Sequence, residues 1–457
     1  MKKILIVIER FLPYTSPGIY RIAKLSKYLS ENDYLPIILT SKIRKSFYED
    51  NFTDQNLQKE IENKVIIERV SHIDFSALDD FLKKLRLERL LNFFFIPDDA
   101  VTAIPSFVKV GYRLAKKEDI DLIYISTPPW GSLCLTGIIL KHLLKKPLVI
   151  EFRDPWVEYA FGQYESFFHY KINEWLERMS IKRADGIVVV TDGQKKLLEK
   201  KVKNKPIIVI NNGYDEEDFV DINPVKDTRF FRILFTGSFW MYVDENKPKW
   251  KKMLRKIMDL GRYRPYRFSQ EEKNTHTPYY LFKALNVLFS KQPQLRGKIK
   301  VAIAGGGVII CNKLAKKFNI EDEVELLGLL EHKKTIEELN KADLLFLPLL
   351  SKTEGNRSSY WVPAKTYEYI RTGKPILALV PEGDAKEILE KAGTAYFADP
   401  TSPEEIADLL ERLYQLHQRA SIPVNPNWGY IKQFERRAQA QKLAQFLNSI
   451  IEKHNTV

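Results

Sequence analysis

The chain has 457 residues, of which 44% are hydrophobic, 29% charged and 12% aromatic; this composition excludes a disordered or fibrous chain, and the length exceeds one ordinary core, so two α/β domains are expected. Its 72 Lys and Arg against 59 Asp and Glu leave a net charge of +13, which favours an anionic partner such as acidic lipid or a phosphorylated substrate. No zinc-finger spacing and no RNA-binding aromatic signature accompanies that charge, so nucleic acid is not expected as a partner.

Only Cys134 and Cys311 are present, far apart and without metal-ligand spacing, so neither a disulfide framework nor a zinc site is expected and the compartment reads as reducing. The opening apolar run is cut short by Glu9 and Arg10 and reads as a buried first strand. No segment approaches the ~18 consecutive apolar residues of a membrane span. A cytoplasmic protein is expected, with membrane association on the cytoplasmic face left open.

In chain order, Ile4 to Ile8 predicts a first strand, the spacing of Ile22, Leu25 and Leu29 a helix, and Tyr34 to Leu39 a second strand. Further strands are expected at Val65 to Val70, Asp121 to Ser126, Pro147 to Phe152, Gly186 to Thr191 and Ile207 to Ile210, with a long helix over Tyr164 to Ala184. Residues Asp221 to Thr228 lack periodicity and predict a linker. The alternation then restarts, with strands at Arg232 to Thr236, Lys300 to Ala304, Val324 to Leu327, Asp343 to Pro348, Pro375 to Val380 and Ala395 to Ala398. Helices are expected at Asn312 to Phe318, Thr335 to Ala342, Pro363 to Arg371, Asp384 to Lys391 and Pro403 to Gln418. The fold class is therefore α/β, two Rossmann-like doubly wound domains facing each other across a cleft. Their expected bounds are 1–222 and 229–428, followed by a helix over 430–457.

Two segments stand outside this pattern. Asp244 to Lys273 is an insertion with ten Lys and Arg against five Asp and Glu, either a solvated elaboration or a surface for membrane or acceptor. Phe75 to Phe95 reads as a basic amphipathic helix, packed by one face or lying on a membrane.

Ligand sites of doubly wound sheets lie in the loops after the strands. Gly18 follows the first strand and opens a helix, where a missing Cβ lets backbone N–H groups approach a phosphate. Gly237 and Ser238 occupy the equivalent loop of the second half and offer donors to a diphosphate, with the triple glycine Gly305 to Gly307 as a turn and close-packing device nearby. In Trp361 to Pro375, Pro363 suits a helix start and Gly373 its stop. Lys365 and Thr366 then sit in the first turn, where an anion is favoured, and Glu368 shares a face with Lys365 and has the acceptors to hold both ribose hydroxyls. Arg153 and Asp154 close a buried strand in the first half. The pair either meets phosphate and a sugar or acceptor hydroxyl, or braces its loop.

The stretches Ser126-Thr127-Pro128-Pro129, Phe152 to Trp156, Ala184 to Ile187, Ile210 to Tyr214, Leu234 to Ser238 and Pro363 to Pro375, in that order, resemble a family 4 glycosyltransferase of the GT-B fold over nearly the whole chain. The resemblance implies retaining transfer from a nucleotide sugar to a glycan or lipid-linked acceptor, without a metal ion or other cofactor. It implies a final helix, here Tyr430 to Lys453, that crosses back onto the first domain. It places the donor ribose on Glu368. Together with the loop readings above, donor binding is expected on Gly18, Gly237, Ser238, Lys365, Thr366 and Glu368, and the chemistry on Arg153, Asp154 and Lys365. Of the family's two glutamates seven residues apart, Glu368 matches the second and Tyr360 stands at the first. The family's histidine is replaced near Arg153 and Asp154, and its glycine pair is reduced to Gly18. A nucleotide-sugar epimerase of the same architecture and a non-catalytic scaffold in polysaccharide assembly are the alternative readings.

Overall fold

The computed structural model describes residues 1–42, 53–71, 93, 95–159, 163–220, 227–239, 242, 266–267, 271–352 and 359–456. Nearly all of the basic helix expected over Phe75 to Phe95, most of the insertion expected over Asp244 to Lys273 and most of the linker at Asp221 to Thr228 lie outside the described residues. The chain divides into two compact units. The first comprises residues 1–212, 253–268 and 436–457, and the second comprises 213–252 and 269–435.

In the first unit seven strands form one parallel sheet: β1 (Lys2–Val7), β2 (Tyr34–Ser41), β3 (Ile66–Val70), β4 (Leu122–Thr127), β5 (Leu148–Phe152), β6 (Gly186–Val189) and β7 (Ile207–Val209). Their spatial order is β3-β2-β1-β4-β5-β6-β7. Both faces are covered, which is why the strands read as unbroken apolar runs. Leu5, Val7, Ile123 and Ile125 pack with the helices of one face, and Ile4, Ile6, Tyr124 and Val149 with those of the other. The crossover helices are α1 (Pro17–Ser30), α2 (Gln55–Ile61), α3 (Ile104–Glu118), α4 (Trp130–Leu144), α5 (Phe167–Arg183) and α6 (Asp192–Lys201). Helix α1 starts with Ser16 as N-cap, its hydroxyl accepting from Ile19 N, and Pro17 at the first position.

The second unit repeats the plan with β8 (Phe231–Thr236), β9 (Ile299–Ala304), β10 (Val324–Gly328), β11 (Leu344–Pro348), β12 (Ile376–Leu379) and β13 (Ala395–Phe397), all parallel and ordered β10-β9-β8-β11-β12-β13. Its helices are α7 (Tyr279–Lys291), α8 (Val308–Lys317), α9 (His332–Lys341), α10 (Lys365–Arg371), α11 (Asp384–Ala392), α12 (Pro403–Arg419) and α13 (Trp428–Lys432). The helix expected as one piece over Tyr430 to Lys453 is broken. Phe434 is buried in the core of the second unit, its carbonyl accepting from Tyr214 N, and α14 (Arg436–Asn455) begins two residues later. Leu443, Leu447 and Ile451 of α14 pack in the first unit with Ile4 and Ile6.

One device recurs at the amino-terminal edge of both sheets. Asp121, Asp185 and Asp343 each precede a strand, and each carboxylate accepts from a backbone N–H of the neighbouring strand: Lys3 at 2.7 Å, Leu148 at 2.8 Å and Arg232 at 2.8 Å. Each satisfies a terminal donor that the ladder leaves over and sets the register there.

The first unit also buries an ion pair. Arg21 on α1 is 2% exposed and Glu151 on β5 is 0% exposed. The Arg21 guanidinium donates through Nε and Nη2 to Glu151 Oε1 at 3.0 and 2.9 Å, and on to the carbonyls of Ile210 and Asn211 at 2.7 Å each. Ser126 Oγ donates to Glu151 Oε2 at 2.6 Å. A charge pair so removed from water holds only because its remaining donors and acceptors are filled. Arg21→Met is expected to cost about 3–5 kcal/mol by leaving a buried carboxylate without its cation, measured from the urea midpoint. Arg21→Met combined with Glu151→Leu is expected to recover part of that loss.

Candidate active site

In sheets of this order the strand sequence reverses beside β1 and beside β8, and the loops leaving the strands there diverge to opposite faces and open a crevice. In the second unit that point lies between β8 and β11. The loop after β8 holds Gly237 in a left-handed conformation, φ 121°, and a Cβ there would run into Nζ of Lys365. The Lys365 ammonium sits 3.8 Å from the centre of the Phe235 ring on β8, a cation–π contact. Close packing of protein around the ammonium pushes the Lys365 pKa down to about 7, although Glu368 nearby acts to raise it.

Three further groups hold this corner. The Tyr369 hydroxyl accepts from Thr236 N at 2.8 Å and so locks α10 to the end of β8. His276 lies with Nδ1 3.2 Å from the Pro348 carbonyl at the end of β11, and burial, reinforced by Lys365, pushes its pKa down to about 4. His332, at the start of α9, places Nε2 3.0 Å from Glu368 Oε1 and Nδ1 3.6 Å from Asp218 Oδ2. None of these three contacts was legible in the sequence: His276 and His332 arrive from segments tens of residues away, and Tyr369, though on α10 itself, finds its partner at Thr236.

Ser238 is exposed, and its Oγ accepts from Gly306 N at 3.1 Å. The triple glycine lets the two loops meet: a Cβ on Gly305 would strike the Gly237 carbonyl, and one on Gly307 the Phe239 carbonyl. Thr366, expected among the donor contacts, lies with its side chain inside the protein. It is 0% exposed, because the first turn of α10 directs its hydroxyl into the protein, and the side chain does not reach solvent. The helix also starts later than expected, at Lys365, with residues 363 and 364 in the preceding turn.

The corresponding point of the first unit lies between β1 and β4. A cavity of about 180 Å³ opens there, lined by Glu9, Arg10, Tyr14, Ser16, Pro128 and Arg153 among others. Gly18 falls inside α1, and the space its Cβ would fill is taken by the Arg153 guanidinium. Gly18 thus admits an arginine here. Arg153 donates through Nε to the Thr127 carbonyl at 2.6 Å and through Nη2 to the Pro128 carbonyl at 3.1 Å. Burial lowers its pKa, opposed by Glu151. Asp154 forms no hydrogen-bonded pair with Arg153; burial raises the pKa of its carboxyl and Arg153 partly offsets that rise. Glu9, which sequence reasoning passed over, has its pKa raised by burial, with Arg10 opposing.

Residues 21–218 match the profile of Glycosyltransferase Family 4, and residues 270–423 match Glycosyl transferases group 1. The chain belongs to the group 1 glycosyltransferases. No curated protein sequence matches this glycosyltransferase significantly. Among solved structures it is similar to sucrose-phosphate synthase from Thermosynechococcus elongatus, with a TM-score of 0.63 and 13% identity over 99% of this chain and 100% of that one. Anabaena HepE in complex with UDP and glucose gives a TM-score of 0.57 and 15% identity over 98% and 100% of the two chains. A protein from Listeria monocytogenes named a putative UDP-N-acetylglucosamine 2-epimerase gives 0.52 and 13% identity over 99% and 98%. At these identities the likeness establishes the GT-B fold. Among the described residues no group of three or more His, Cys, Asp or Glu is placed to hold a metal ion, and no helix is long and apolar enough to cross a membrane.

An ammonium with a pKa of about 7 binds an anion in its protonated form, and the anion draws the pKa back up. Binding of pyrophosphate is therefore expected to take up a proton above neutral pH and to weaken as pH rises from about 6 to about 9. Calorimetry in buffers of different ionisation enthalpy reads the proton, and Lys365→Met is expected to abolish the uptake. Gly237→Ala is expected to displace Lys365 and weaken pyrophosphate binding by about tenfold, since the site loses one charge-assisted contact.

Proposed function

We propose that this glycosyltransferase moves a sugar from a nucleotide-sugar donor to a glycan or lipid-linked acceptor, with retention at the anomeric carbon and without a metal ion. One observation carries the reading: the Lys365 ammonium is packed against Gly237 in the loop after β8, with Glu368 one turn further along α10. The donor diphosphate lies along Gly237, Ser238 and Lys365, and the ribose hydroxyls meet Glu368. His332, 3.0 Å from Glu368, orients that carboxylate.

In the transfer, the bond between the anomeric carbon and the diphosphate oxygen breaks, and its electron pair stays on the leaving diphosphate. Lys365 stabilises that charge, which grows toward the transition state and is felt strongly in a site sheltered from water. For retention, the acceptor hydroxyl forms the new bond on the same face of the anomeric carbon that the diphosphate leaves, and gives up its proton. Asp154, whose raised pKa makes it a better base than an ordinary carboxylate, takes that proton on the acceptor side. Arg153 fixes the loop that carries Asp154, through the Thr127 and Pro128 carbonyls. Support for a nucleotide sugar as donor comes from HepE, solved with UDP and glucose.

Thermal-shift screening against UDP-, GDP-, ADP- and CMP-linked sugars is expected to single out one nucleotide by a raised midpoint. Glu368→Ala is expected to weaken that donor by about tenfold to a hundredfold in calorimetry, the worth of one to two charge-assisted hydrogen bonds. Unchanged affinity removes Glu368 from the donor site. Donor incubated without acceptor is expected to stay unaltered; an isomerised sugar assigns the fold to epimerisation. Failure to bind any member of the panel assigns it to a scaffold. Activity that persists in EDTA and an anomeric proton of unchanged configuration in the product test the metal and the stereochemistry.

A further inference from the structure

Helix α5 (Phe167–Arg183) buries Asn173, Leu176, Glu177, Ser180 and Ile181 against the first unit. On its other side the large apolar residues are exposed, Phe167 at 55%, Phe168 at 64% and Trp175 at 62%. Such side chains on an ordinary surface occur singly. Here they share a face with cations. At ~100° per residue, Phe167, Arg178, Lys171, Lys182, Trp175 and Phe168 follow one another across a single arc of about 100°. All six are exposed.

No exposed acid interrupts the arc. Glu174 lies at its margin, half-buried, and pairs with Lys171 at 2.8 Å and Arg178 at 3.8 Å, which leaves the stripe positive. The neighbouring α4 packs against α5 and adds exposed Ile139 and Leu143.

We infer that the solvent face of α5 docks this protein on an anionic lipid bilayer. Phe and Trp settle at the depth of the headgroups, where an aromatic ring finds an apolar layer beneath it and polar groups around it. The interleaved Lys and Arg meet lipid phosphates from the same face. A protein partner fits less well, since protein interfaces are depleted in lysine at their centres and this stripe carries Lys171 and Lys182 between its aromatics. The net charge of +13 gives the same sign of attraction at long range. The inference is independent of the donor assignment, and its test reads lipid binding without any sugar.

The full chain is sedimented with vesicles of phosphatidylcholine alone and of phosphatidylcholine with one-third phosphatidylglycerol, at low and high salt. Binding is expected only to the anionic vesicles and is expected to fall with salt. Lys171→Glu with Arg178→Glu should lower partitioning by roughly fivefold or more for each charge, and Phe168→Ala with Trp175→Ala should lower it by at least tenfold. A matched pair on α3, Lys116→Glu with Lys117→Glu, changes the net charge equally and should leave most of the binding intact. Far-ultraviolet circular dichroism and the thermal midpoint confirm that each variant is folded. Three results overturn the inference: no binding to anionic vesicles, equal loss in the α3 pair, or no loss in either α5 pair. Concentration-dependent self-association that Trp175→Ala abolishes, without vesicle binding, assigns the stripe to a second copy and overturns it too.

Discussion

A lysine ammonium confined beside a backbone loop is the constraint that the second unit is built around. Lys365 occupies the space a side chain on Gly237 would need, rests on the Phe235 ring and is crowded until its pKa falls to about 7. A cation at that point is stable only if something answers its charge. Within the protein the answer is partial, from Glu368, whose carboxylate is itself engaged by His332. On the proposed reading, the hold of this site on an anion comes from that incomplete compensation, because the desolvation has already been accepted in folding.

The first unit solves a different problem with similar means. Arg21 and Glu151 are both removed from water, and the pair ties α1, β5 and the end of β7 into one body. Two residues beyond Glu151, Arg153 spends its donors on the Thr127 and Pro128 carbonyls and lies across Gly18. The loop that presents Asp154 is thereby anchored at two places, by the buried pair before it and by Arg153 within it. On the proposed reading, in which Asp154 takes the acceptor proton, such support matters, since small displacements of a reacting group cost large factors in rate.

Much of the sheet architecture was legible because buried parallel strands are written as unbroken apolar runs; β4, β5, β11 and β12 lie within a residue or two of the expected spans. Helix α4 was not read, for the mirror reason: its sequence is apolar nearly all round, so it shows no 3.6-residue period. The Lys365–Glu368 spacing was visible as a local pattern, while His332, His276 and Tyr369 enter through tertiary contacts that one-dimensional spacing does not encode. Gly18 illustrates a subtler limit. The need for a residue without Cβ was readable there, but which neighbour required it was not; that neighbour is Arg153, 135 positions along the numbering.

The interlocked glycines at Gly237, Gly305 and Gly307 carry one more implication. Two of the loops at that crevice touch backbone to backbone, so neither can be enlarged without prising the other away. A side chain added at Gly305 or Gly307 would therefore be felt first on the other loop, at the Gly237 or Phe239 carbonyl.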